Sequence, residues 1–124
     1  MDDPSPDSHS RPRIMSAAPA PCADLRVLDF SQVLAGPYIG RLFADLGAQV
    51  IKVEAPQGDL TRRIAPKQDR GMSGLYTWAN VGKQNVGINL RSDAGRALAL
   101  DLIRTADVVI ENFRPGVADR LGIG

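Results

Sequence analysis

Residues 25–54 read LRVLDFSQVLAGPYIGRLFADLGAQVIKVE, and their pattern decides the fold. Residues 25–30 are a short apolar run of strand length. A turn over 31–36 follows, and Pro37 stands where a first helical position falls, its φ already set for it. Ile39, Leu42, Phe43 and Leu46 recur at i, i+3, i+4 and i+7, the spacing of one helical face. Gly47 supplies a C-terminal stop. Residues 49–54 are a second strand, rich in β-branched side chains. Strand, helix and strand in this order make a βαβ unit, for which a parallel pair with a right-handed crossover is expected.

Working outward, residues 55–74 form a polar loop with Pro, Gly and several basic residues. Residues 75–81 read equally as a short helix or an extended run, and 86–90 as a third strand. Ser92 or Asp93 caps a helix to about Thr105, with Arg104 at the negative end of its dipole. Ala99, Leu102, Ile103 and Ala106 are its inward stripe. Residues 107–111 (DVVIE) are a fourth strand, followed by a turn over 112–116 and a short helix over 117–121. This alternation predicts an α/β fold, a mostly parallel sheet with flanking helices. Upstream, residues 1–23 are rich in Pro, Ser, Asp and Ala without periodicity, the composition of a disordered tail, which leaves 24–124 as the folded part. Met15 is an alternative start. The one histidine, His9, lies in the tail, so no catalytic role is expected of it, and Cys22 at the tail's edge is read as a small residue without special chemistry.

At 124 residues there is room for one modest domain. Fifteen Lys and Arg against fourteen Asp and Glu leave a net charge of +1, which gives neither a nucleic-acid patch nor a field for acidic substrates. Six aromatic residues are too few for a base-stacking surface. A single cysteine cannot form an intramolecular disulfide. The longest apolar runs are strand-sized, short of the roughly 20 residues of a membrane helix. Residues 1–23 lack the apolar centre of a secretory signal. A cytoplasmic protein with no membrane or nucleic-acid partner is the resulting expectation.

In open parallel sheets ligands bind beyond the carboxyl ends of strands, and two turns occupy that position. The first, residues 31–37 (SQVLAGP), has Ala35 and Gly36 small enough for a ligand to approach the backbone, with helix amides behind them. The second, residues 111–116 (ENFRPG), offers an amide at Asn112, a flat face at Phe113 and a guanidinium fork at Arg114. A nucleotide with an adenine ring and phosphates suits such a pair. Tight packing of small residues, a core Phe113 and a solvated Arg114 make the competing reading. A dinucleotide fold is disfavoured because G-x-G-x-x-G is absent, with only Gly36 and Gly40 in place and Pro37 between them. No metal spacing, P-loop, or Ser–His or Cys–His pair is found outside the tail. Asp29, Asp45, Glu54, Asp107 and Glu111 are read as structural, and no pair among them marks acid/base work.

The order of motifs resembles the start of family III CoA-transferases (CaiB/BaiF, formyl-CoA transferase-like). It is carried by residues 25–37, 46–54 (LGAQVIKVE), 58–62 (GDLTR), 83–91 and 106–122 (ADVVIENFRPGVADRLG), and covers roughly 25–124. The resemblance implies the opening part of a larger Rossmann-like α/β domain and a homodimer of interlocked rings. It also implies exchange of coenzyme A between carboxylic acids through acyl and CoA intermediates on an aspartate. Acyl-CoA and carboxylic acids are then the substrates, and no tightly bound cofactor or metal is implied. Carried over by position, Leu34, Ala35, Ile88, Arg91, Asn112, Phe113, Arg114 and Arg120 are the coenzyme A contacts, with Arg91 and Arg120 as phosphate partners. Ala55 departs from relatives that carry an arginine there. The family's aspartate lies downstream of the matched region, so no catalytic residue is expected in this chain. A fragment, a truncated gene or one piece of a split enzyme, inactive alone, is the expectation. Within the same superfamily an acyl-CoA racemase of the α-methylacyl type remains open; from other classes, a non-catalytic remnant or an NAD-dependent oxidoreductase.

Overall fold

A computed structural model describes residues 20–64 and 73–124. The expected tail with His9 and Met15 therefore lies outside the described residues as far as residue 19. Its last part, from Ala20, is a hydrogen-bonded turn in which the Cys22 N–H reaches the Leu46 carbonyl at 2.9 Å.

Four strands, β1 (Arg26–Asp29), β2 (Gln49–Glu54), β3 (Gln84–Gly87) and β4 (Val108–Ile110), form one sheet in the order β3-β2-β1-β4. All three pairings are parallel, with Leu28 opposite Ile51 and Val109, and Lys52 opposite Asn85. The helices are α1 (Ala35–Asp45), α2 (Gly74–Asn80), α3 (Asp93–Thr105) and α4 (Val117–Arg120), with a 3-10 turn over Leu60–Arg63.

Side chains alternate across a strand, and this alternation makes the two faces of the sheet unlike. One face carries Leu28, Phe30, Ile51, Val53 and Ile88, and Ala99, Leu102 and Ile103 of α3 pack on it, as the inward stripe predicted. The other face begins apolar, with Val27, Val50 and Ile110. Toward the carboxyl ends it becomes charged, with Asp29, Lys52 and Glu54 all buried. α1 and α2 lie against each other. The 3-10 turn and α2 supply the partners of these charges.

Three features differ most from the sequence expectation. Pro37 is the third residue of α1, not the first, because Leu34 is the cap and Ala35 opens the helix. The missing N–H at Pro37 still belongs to the first turn, where no intrahelical partner exists. The buried face of α1 is Gly36, Pro37 and Gly40 with half-buried Phe43. Ile39, Leu42 and Leu46 of the expected stripe are exposed. Small residues win this face because it presses on a charged pair, and a Cβ at Gly40 lies 2.6 Å from Asp29 Oδ2. Finally, β3 begins two residues before the expected strand and ends at Gly87, since pairing with Ile51–Glu54 rather than apolar content sets its span. The ambiguous stretch is helix α2, opened by the Ser73 side chain, which accepts from the Tyr76 N–H. Ser92 caps α3 as expected. Gly47, at φ +96°, stops α1. Among the described residues no helix is long and apolar enough to cross a membrane.

Candidate functional site

The chain runs outward from β1 through β2 to β3, then returns to the far side of β1 for β4. The switch point between β1 and β4 is where a parallel sheet opens a crevice. Both turns singled out on sequence leave the sheet there.

Asn112 ties the two turns together: its Oδ1 accepts from the Gln32 N–H at 3.0 Å and its Nδ2 donates to the Gln32 carbonyl at 2.8 Å. The rest of the first turn is held from behind. Asp29 Oδ1 accepts from the Ser31 N–H at 2.8 Å and from the Ser31 hydroxyl. Lys52 Nζ donates to the Ser31 carbonyl at 3.0 Å. The Val33 N–H makes a long bond, 3.4 Å, to Asp59 Oδ1. Val33 sits at φ +71°, the only non-glycine residue with positive φ among those described. A β-branched side chain there costs on the order of 1–3 kcal/mol, which the surrounding bonds offset.

Two ion pairs lie beneath the turn. Lys52 meets Asp59 at 2.9 Å and Lys83 meets Asp29 at 2.7 Å, with lysine side chains 1% and aspartates 0% exposed. Lys83 also donates to the Pro37 carbonyl at 2.8 Å and to Asn80 Oδ1 at 2.7 Å, so it fixes the start of α1. Burial pushes the Lys83 ammonium below its ordinary pKa, against the opposing pull of Asp29. Burial pushes Asp59 up, but the Thr61 N–H and Lys52 together hold its carboxyl below the usual value. Pairs so buried contribute little net stability, yet removing one partner strands the other charge.

Further along β2, Glu54 accepts from Arg62 Nε at 2.7 Å and Nη2 at 2.9 Å, from the Asp59 N–H at 2.8 Å, and from Tyr76 and Asn85. Burial raises its carboxyl, and these donors, Arg62 foremost, outweigh it and leave the pKa at about 2. Burial and the Glu54 carboxylate push Tyr76 up. Asp29, Asp45, Glu54, Asp107 and Glu111 all have structural partners, as expected: Asp45 pairs with Arg41, Asp107 accepts from the Arg26 N–H and Glu111 from the Phe113 N–H. Among the described residues no group of three or more His, Cys, Asp or Glu side chains is arranged to hold a metal ion.

In front of this framework are two adjoining cavities. One, of about 430 Å³, has apolar walls from Phe30, Val53, Pro56, Leu90 and Phe113, with Arg91 and Asn89 among its polar lining. The other, of about 610 Å³, lies against the start of α1 and is lined by Val33, Leu34, Ala35, Asn112 and Arg114. Gln32, Phe113 and Val117 border both. Both volumes fall in the range of roughly 300–1,000 Å³ typical of small-molecule sites. The geometry of a helix start leaves the Ala35 N–H without an intrahelical partner at the second cavity.

Six of the eight residues expected from the sequence line this cleft: Leu34, Ala35, Arg91, Asn112, Phe113 and Arg114. Ile88 is core instead, 3% exposed among Leu28, Val53 and Ala99, and its N–H donates to the Glu54 carbonyl at 2.8 Å. Arg120 is exposed on α4 and lines neither cavity. Sequence reasoning missed Gln32, Gln57 and Asn89 on the walls, and both lysines behind the turn. Lys52 carried a signal: it is the one cation within an otherwise apolar stretch of a central strand, where a charge needs a buried partner.

Fold and cleft define the class, an all-parallel α/β domain with a ligand-sized crevice at its topological switch point. Residues 22–124 match CoA-transferase family III, and the chain belongs to that family. It is 45% identical over 105 residues to the succinyl-CoA:mesaconate CoA-transferase of Haloarcula marismortui, covering 82% of this chain and 26% of that protein. It is 44% identical over 101 residues to the formyl-CoA:oxalate CoA-transferase of Streptomyces coelicolor, covering 79% of this chain and 24% of that protein. The crystal structure of a CAIB/BAIF family protein from Brucella suis superposes with a TM-score of 0.81 at 39% identity, over 86% of this chain and 29% of the other. The chain thus spans about a quarter of the length of the curated relatives it matches.

Proposed function

We propose that the chain forms the coenzyme A-binding edge of a CoA-transferase, with acyl-CoA and a carboxylic acid as substrates. The observation that carries this is the double cavity joined at Phe113. An apolar chamber with Arg91 beside it suits an adenine ring and its phosphates, and the second chamber suits a pantetheine arm running past Ala35. Relatives that share this segment are named for succinyl-CoA, formyl-CoA and acetyl-CoA exchange, which supports the thioester substrate class.

In this reading an aspartate carboxylate outside the cleft residues named above attacks the thioester carbonyl and releases the CoA thiolate. Thiolate then attacks the aspartyl carbonyl of the resulting anhydride, giving an aspartyl thioester and releasing the donor carboxylate. The acceptor carboxylate expels thiolate to form a new anhydride, and thiolate attack on its acceptor acyl carbon yields the new acyl-CoA and frees the aspartate. Covalent splitting replaces one hard exchange with easier steps. The same reading has the protein act in the cytoplasm and within a homodimer. Leu34, Ala35, Arg91, Asn112, Phe113 and Arg114 hold the substrate, and Ile88 acts only from the core behind it.

Calorimetric titration of the folded chain tests the reading. CoA is expected to bind with a dissociation constant below about 1 mM, or more than about 4 kcal/mol of binding free energy, and NAD more weakly. No heat with CoA, or tighter binding of NAD, contradicts it.

A further inference from the structure

We propose that Lys52 and Asp59, which line neither of the two cavities, are positioning residues for the acyl-CoA site because they hold Val33 in its left-handed conformation. The inference rests on the coenzyme A reading above. It goes beyond it by assigning a ligand-directed role to two buried side chains that do not touch the ligand.

The geometry is a two-point clamp. Lys52 Nζ lies 3.0 Å from the Ser31 carbonyl, and Asp59 Oδ1 takes the Val33 N–H at 3.4 Å. The two side chains are joined to each other at 2.9 Å. Asp59 is itself fixed by Thr61, through its N–H at 2.9 Å and its hydroxyl at 2.8 Å, and by its own N–H to Glu54 at 2.8 Å. The clamp therefore refers the turn after β1 to the strand β2 and to the loop that follows it. Between the clamped carbonyl and the clamped amide the chain passes through Gln32, which Asn112 holds from the other side. Val33 at φ +71° is the residue that turns the backbone so that Leu34 and Ala35 meet the wider cavity. Released from the clamp, a valine leaves this region for extended or helical backbone, because its Cβ clashes there. Leu34 and Ala35 then move with it, while the sheet beneath stays paired.

The test separates this role from plain stabilisation. Lys52→Met and Asp59→Leu singly each strand a buried partner and lower the melting temperature. The double variant Lys52→Met/Asp59→Leu leaves no charge unpaired, removes both clamp contacts and melts above Asp59→Leu alone. We expect it to stay folded, to shift the backbone amide resonances of residues 32–35 without ligand, and to bind CoA about tenfold more weakly. Val33→Gly on that background accepts the positive φ without strain and regains most of the affinity. Unmoved loop resonances, an unchanged affinity, or a lost affinity that Val33→Gly leaves unimproved overturns the inference. Failure of the unaltered chain to bind CoA overturns the coenzyme A reading instead. The two failures are distinct, since the amide resonances report the loop in the absence of ligand.

Discussion

The Asn112 carboxamide grips the Gln32 backbone from both sides, accepting its N–H at 3.0 Å and donating to its carbonyl at 2.8 Å. Residues 80 positions apart are thereby locked across the mouth of the cleft. An asparagine can do this because its side chain carries one acceptor and one donor group side by side. Asn112→Asp keeps the acceptor and sets a carboxylate against the Gln32 carbonyl; Asn112→Ala loses both bonds. Each is expected to cost about 1 kcal/mol, read as a lower urea midpoint, and to weaken CoA binding by more than the stability loss explains. Full affinity in Asn112→Asp would show that the lock does not shape the site.

Gly40 is a packing glycine, not a flexible one. A Cβ there meets Asp29 Oδ2 at 2.6 Å and Lys83 Nζ at 3.0 Å, both fully enclosed. Gly40→Ala must therefore open a buried pair, at an expected cost of about 3 kcal/mol or more. Gly87→Ala is the control, since nothing lies within 4 Å of its Cβ, and its unfolding free energy from urea titration should stay within about 0.5 kcal/mol of the parent.

Acid stability follows from Glu54. Its pKa is lowered on folding from 4.5 to about 2, so its contribution is fully present above the unfolded value and is lost as pH falls from about 5 toward 2. At about 1.4 kcal/mol per pH unit, this loss is on the order of 3 kcal/mol. Asp59, also held low, adds in the same direction. Denaturant midpoints measured between pH 6 and pH 2.5 should fall steeply for the parent. Glu54→Gln should start lower and fall less, and parallel curves would contradict the assignment.

The cationic residues of the cleft divide by position. Arg91 and Arg114 border the cavities, whereas Arg120 does not. Arg91→Ala and Arg114→Ala are each expected to weaken CoA binding about tenfold, with a smaller dependence on salt. Arg120→Ala should change affinity less than twofold in the same titration.

Strand and most helix positions were legible because strand-length apolar runs, a cap at Ser92 and a stop at Gly47 are local signals. The outward face of α1 was not. Ile39, Leu42 and Leu46 have core spacing, yet the sheet beneath them presents Asp29 rather than apolar side chains, so glycines take the inner face. The edge strand slipped for a related reason: Gln84 and Asn85 are polar residues that pairing with β2, not burial, recruits. At the site, side chains on the two turns were readable from their chemistry. Lys52 showed only that a buried partner was needed, and Asp59 and Lys83 showed nothing, because the pairs are 7 and 54 residues apart and only the folded chain brings them together.

Amide chemical-shift mapping during CoA titration tests most directly whether both turns build one ligand site. Shifts are predicted to concentrate at residues 32–36, 89–91 and 112–117 in a single saturating process. Saturable shifts confined to the exposed Tyr38 and Trp78 face of α1 and α2, with both turns unmoved, would contradict it.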